Sequence, residues 1–119
     1  GMYEQVKGIL TEALQAAREI RDAFRRADAL RKIAEAMVRA GMHEQAKGIL
    51  TEALQAARGI ELADWRVAAL DMIARAMAGA GMYEQALQVA REIEDASARA
   101  SALVGIAEAM VRAGFPAPP

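Results

Sequence analysis

The pentapeptide Gly1-Met2-Tyr3-Glu4-Gln5 returns as Gly41-Met42-His43-Glu44-Gln45 and again as Gly81-Met82-Tyr83-Glu84-Gln85, 40 residues apart each time. Residues 7–18, KGILTEALQAAR, recur unchanged at 47–58, and residues 33–41, IAEAMVRAG, recur unchanged at 106–114. A fixed period of this size marks a helical array, in which each unit buries its apolar face against its neighbours. The chain divides into units 1–40, 41–80 and 81–113 and a tail, 114–119, within one repeat domain. Unit 3 lacks seven residues of its first helix, where EQALQVAREI replaces EQVKGILTEALQAAREI. Seven residues are about two turns, so the helix shortens while its buried face stays within roughly 20° of its direction.

Inside a unit the apolar residues keep helical spacing. Tyr3, Val6, Leu10, Leu14 and Ala17 form one stripe; Leu30, Ile33, Ala34 and Met37 form a second. Breaks fall near 20–22, 40–41, 59–63, 80–81 and 93–95. Asp22 and Asp95 are placed to cap helix N-termini, and Gly41, Gly81 and Gly114 suit the left-handed position that ends a helix. Connections this short make neighbouring helices antiparallel, giving six helices in three hairpins. Composition agrees with an all-α chain: 30 of 119 residues are Ala, none is Asn and three are Pro. At 55% hydrophobic and 26% charged, the chain reads as one soluble domain. Without cysteine it has no disulfide or thiolate metal site, and no apolar run of about 18 residues is present to span a membrane. A net charge of −1 argues against a binder of nucleic-acid backbone. No targeting segment is visible, which leaves the cytosol as the default compartment.

Reading from the second helix of one unit into the first of the next gives Leu30, Ile33, Ala34, Met37, Gly41, His43 and Ala46, then Leu70, Ile73, Ala74, Met77, Gly81, Tyr83 and Ala86. This order resembles the tetratricopeptide repeat (TPR) across essentially the whole chain. Leu stands where Trp is usual and Met where the helix aromatic is usual; the closing Pro is absent, and two units have 40 residues rather than about 34. The resemblance implies a right-handed α-solenoid that begins with a lone second helix at 3–20 and ends with a lone first helix at 97–113. It implies a scaffold for protein–protein interaction or self-assembly. Units 1 and 2 agree at 16 of their first 18 positions, which points to recent duplication or deliberate construction.

By that resemblance the concave groove is lined by Asp28, Arg31, Glu35, Arg39, Asp71, Arg75, Glu108 and Arg112, a candidate interaction face of mixed sign. Arg31 with Glu35, Glu35 with Arg39, Asp71 with Arg75 and Glu108 with Arg112 are also neighbours four apart, worth about 0.2–0.5 kcal/mol each. The basic cradle by which some family members hold a peptide carboxylate is not reproduced. Trp65, the sole Trp, is either an anchor for a partner or a cover for a hairpin end. Met37, Met77 and Met110 are gap-filling core.

Catalytic constellations are not visible. His43 is the only His, and the zinc-protease helix fails because Lys47 stands where a second His is needed. Ser97 and Ser101 have no nearby His in sequence, and Thr11 and Thr51 are repeat-equivalent helix residues. Around Glu92, Glu94 and Asp95, a cap and a solvated turn are simpler than a paired-carboxylate catalyst. Gly8 and Gly48 are isolated in helices, where they are expected to admit a close neighbour. No catalytic residue, cofactor, metal or small-molecule substrate is expected. A helical RNA binder using Arg21, Arg25, Arg26, Arg31 and Lys32 is a weaker alternative, interrupted by Asp22 and Asp28, and a hydrolase using His43 is weaker still.

The expected partner is a protein, a peptide or a second copy head to tail. Solenoids cover their last apolar face with a polar helix, and no such cap is apparent at either end. Residues 106–114 repeat the surface that residues 33–41 offer to the following helix, and residues 1–18 nearly copy that helix. The three successive segments carry +2, −1 and −2, so a positive head faces a negative tail. Such a contact is heterologous and predicts open chains or rings. The tail Gly114-Phe115-Pro116-Ala117-Pro118-Pro119 cannot continue a helix and is placed to fold over the exposed edge.

Overall fold

Asp22 and Asp95 lie in extended backbone, and each side chain accepts the amide hydrogen three residues on, from Arg25 and Ala98, both at 2.8 Å. These caps satisfy otherwise orphaned helix donors. They open the second and last of six helices: α1 (Met2–Arg18), α2 (Ala23–Arg39), α3 (His43–Arg58), α4 (Ala63–Gly79), α5 (Tyr83–Arg91) and α6 (Ala96–Arg112). The structure, a computed structural model, describes residues 1–115. Its described residues are all-α, and none of their helices is long and apolar enough to cross a membrane. The second hairpin departs from the capping pattern. Leu62 occupies the cap position of α4, so that helix starts without a side-chain acceptor.

Between units the chain turns through glycine. Gly41 and Gly81 adopt φ of +81° and +82°, which costs a residue with a Cβ far more than it costs glycine. The turn lets Met42 and Met82 donate their amide hydrogens to the carbonyls of Met37 and Met77, both at 2.8 Å, and both Met side chains are buried. Gly114 and Phe115 begin a third such turn: Phe115 donates to the Met110 carbonyl at 2.9 Å. Pro116–Pro119, the rest of the expected cap, lie outside the described residues.

Each helix packs only against helices one or two positions along the chain. The backbones of α2 and α4, and of α4 and α6, approach closely, whereas those of α1, α3 and α5 stay apart. The Cα atoms fill 44 × 41 × 15 Å, a slab about two helix layers deep. Leu30, Ile33, Ala34 and Met37 are buried as their spacing predicts, with Ala46, Leu50, Ile73, Met77 and Ile106 in the same core.

The stripe of α1 is a different matter. Ala17 is buried and Leu10 and Leu14 are partly covered, but Tyr3 and Val6 are exposed because none of the described helices precedes α1 to cover them. Gly8 and Gly48 also depart from expectation. A Cβ at either position would meet nothing within 4 Å, so neither admits a close neighbour. The glycine that does so is Gly105, where a Cβ would run into the Arg75 side chain.

Gly48→Ala should therefore stabilise the fold by about 0.8–1 kcal/mol through helix propensity, and Leu62→Asp should add about 1 kcal/mol by supplying the missing cap. Urea unfolding followed by circular dichroism checks both, and a loss of stability in either variant would contradict the assignment.

Candidate functional site

The polar face expected to line a groove lies on α2, α4 and α6, and much of it is consumed internally. Arg31 donates to Asp28 at 2.6 Å and to Glu35 at 3.0 Å, and Lys32 reaches the other Asp28 oxygen at 3.2 Å. Burial pushes the Asp28 carboxyl up, but Arg31 and Lys32 outweigh it and hold the group below the ordinary carboxylate range. Burial likewise works against the Arg31 charge, and Asp28 and Glu35 more than reverse it. Arg75 donates to Asp71 at 3.0 Å and crosses to α6, where the Ser101 carbonyl accepts at 2.7 Å and its hydroxyl at 2.6 Å. That crossing needs Gly105, which leaves room for the guanidinium.

Two of the four expected neighbour pairs are thus made. Glu35 with Arg39 is not, because Arg31 has taken Glu35, and Glu108 with Arg112 is not, both remaining exposed to water. What is left is a discontinuous face: Arg39 at the end of α2, and Glu108 and Arg112 beside Val104, Ala107 and Val111 on α6, around a shallow groove of about 370 Å³.

Trp65 does not join that face. It stands half-exposed at the start of α4, its ring edge-on to Phe24 with centroids 4.8 Å apart. With Leu62, Ile60, Arg21 and Arg25 it lines a separate open groove of about 590 Å³ between the turns at 21–25 and 59–65. His43 is exposed in the first turn of α3, and its side chain makes no hydrogen bond among the described residues.

The basic stretch is dispersed. Arg26 donates to the carbonyls of Ile20 and Arg21, closing the turn before α2, while Arg31 and Lys32 are held by Asp28. Arg66 and Arg99 repeat the first arrangement, on the carbonyls of Ile60 and Glu61 and of Ile93 and Glu94. Their signal in the sequence is an Arg four residues after the cap position in all three units, although the residues between vary.

A second recurring contact ties units together. Arg18 grips Glu52 with two bonds of 2.9 and 2.8 Å, and Arg58 grips Glu92 with two of the same lengths. Glu92 is therefore an inter-unit acceptor rather than part of a solvated turn. The planar guanidinium fork fits a carboxylate in this two-bond geometry. Its hydrogen bond to Arg18 holds the Glu52 carboxyl below the usual range despite partial desolvation. Each pair spans 34 residues, and Glu92 stands 40 residues after Glu52 even though α5 is seven residues shorter than α3.

Comparison of the chain with protein-family models, curated proteins and solved structures returns no match.

Because Glu52 titrates lower in the folded chain, the stability it adds is complete above the unfolded carboxyl value of about 4.3 and is lost as pH falls through the lowered folded value. The pair is largely exposed, so Glu52→Gln should cost about 0.2–1 kcal/mol at neutral pH. In urea unfolding at both pH values, the variant and the parent chain should converge at about pH 2.5. An undiminished difference in acid would contradict the role given to the carboxylate.

Proposed function

We propose that this chain is a non-catalytic, TPR-like repeat scaffold that takes amphipathic helices as partners on the open face of α6. The reading rests on one comparison between equivalent helices. α2 is covered by α3 and α4, and α4 by α5 and α6, so that Ala34 and Ala74 have no exposure at all. Their equivalent on α6, Ala107, is open to solvent together with Val104 and Val111. Val111 is 67% exposed, whereas Ala78, its equivalent on α4, is 1% exposed.

Contiguous exposed apolar surface rimmed by charge is characteristic of a docking site, and Glu108 and Arg112 supply that rim here. The shape that fits is known from within the molecule, because the same face of α2 receives α3, a helix with small and branched residues on its buried side. The expected partner is therefore a helix laid along a groove, read through apolar residues three and four apart.

A fluorescently labelled peptide of residues 41–58, titrated with the full chain, should show a saturable rise in anisotropy. Val111→Lys should weaken that binding about tenfold through the lost apolar contact, and His43→Gln should leave it unchanged. A peptide that fails to saturate, or that binds equally well to the Val111→Lys variant, would contradict the proposal.

A further inference from the structure

We infer that the helix received by α6 is α1 of a second copy of this chain, held in register by an ion pair between Arg91 of one molecule and Glu12 of the next. The inference rests on the scaffold reading above and commits it to one occupant.

The two ends are complementary in shape because they are copies of a joint already made twice inside the molecule. Met42, which caps α3, and Ala46 and Ile49 on α3 are buried beside α2; their equivalents on α1, Met2, Val6 and Ile9, are exposed. Met2 is 77% exposed against 6% for Met42, and Ile9 is 63% exposed against 7% for Ile49. α1 and α3 share the sequence KGILTEALQAAR, and α2 and α6 share IAEAMVRAG, so a second copy brings to α6 nearly the surface that α3 brings to α2. No new packing solution is needed.

Charge fixes the register. Each internal joint carries one bidentate pair, from the last-turn Arg of one first helix to a Glu of the next: Arg18 to Glu52, then Arg58 to Glu92. Arg91 is the last-turn Arg of α5 and precedes α6 by the same number of residues as Arg18 precedes α2. Glu12 occupies in α1 the position that Glu52 occupies in α3. Both are exposed, and neither makes an ion pair among the described residues. With α1 of a second molecule seated as α3 is seated, Glu12 falls to Arg91 as Glu52 falls to Arg18. The overall charge agrees, since residues 1–40 carry +2 and residues 81–119 carry −2.

Phe115 opposes the contact. It stands where Met42 and Met82 stand, donates to Met110 as they donate to Met37 and Met77, and sets its ring edge-on to Tyr83 with centroids 5.6 Å apart. Met2 of an incoming copy would need that corner. Phe115 therefore competes with the second molecule and limits growth of a head-to-tail chain whose contact is not self-closing.

Sedimentation velocity from low to high micromolar protein tests this. The parent chain should show a sedimentation coefficient that rises with concentration, and Phe115→Ala should move the rise to lower concentration by a few-fold. Glu12→Arg and Arg91→Glu should each weaken association about tenfold, because every contact then sets like charges together. An equimolar mixture of the two should recover it, since each joint then regains an opposite pair. Circular dichroism checks that the substitutions at these exposed positions leave the helices intact. Association untouched by either reversal would overturn the register, and a strictly monomeric parent and Phe115→Ala variant would overturn the second copy as occupant. In the latter case binding of the 41–58 peptide would still uphold the scaffold reading.

Discussion

Everything in this fold depends on how one unit is joined to the next: a left-handed glycine, a methionine driven into the core behind it, and two helices that close on alanine. Gly41 turns the chain, Met42 donates to the Met37 carbonyl, and α3 then lies against α2 with Ala34 and Ala46 fully buried. Alanine at the seam brings the helix axes close without a rotamer cost. Burying each methionine is worth about 1.5–3 kcal/mol, more than any exposed ion pair of the molecule contributes. The joint at Gly81 and Met82 repeats the first in geometry and in hydrogen-bond length. The helix pairs are thus held chiefly by contacts local in sequence, as expected of a repeat array.

The ion pairs have a different task. Arg18 with Glu52 and Arg58 with Glu92 bridge helices that have no backbone contact with each other. They add little energy, yet they align successive first helices. The shortened α5 shows how closely that alignment is kept. Removing seven residues takes out about two turns, and Glu92, now the capping residue of α5, still lies 40 residues after Glu52 and still meets the Arg of the preceding unit. The Arg at 26, 66 and 99 closes the turn within each hairpin on backbone carbonyls of the connecting residues.

The fold was legible because repetition supplies three independent readings of one pattern. Six helices, their breaks, the caps at Asp22 and Asp95 and the left-handed glycines all follow from spacing and turn chemistry. The side-chain site was less so. Neighbours four apart on a helix compete for partners, so Glu35 goes to Arg31 rather than Arg39, a choice that helix spacing alone does not make. Gly8 and Gly105 look alike in sequence as single glycines in helices. One faces open space and the other seats Arg75, a difference set by a side chain that reaches across from α4 to Ser101, 26 residues further along the chain. Glu92 was hidden for the same reason, since its partner lies in another unit. The 40-residue spacing to Glu52 was the signal that could have revealed it.

If packing between units rather than helix propensity holds the structure, one sequence should behave differently in two places. KGILTEALQAAR occurs at 7–18, where Ile9 is exposed, and at 47–58, where Ile49 and Leu50 are buried. Native-state hydrogen exchange in dilute solution compares them with composition and intrinsic propensity held constant. The account predicts that the amides of Ile49 and Leu50 exchange slower than those of Ile9 and Leu10 by about two orders of magnitude. Equal protection of the two copies would contradict it.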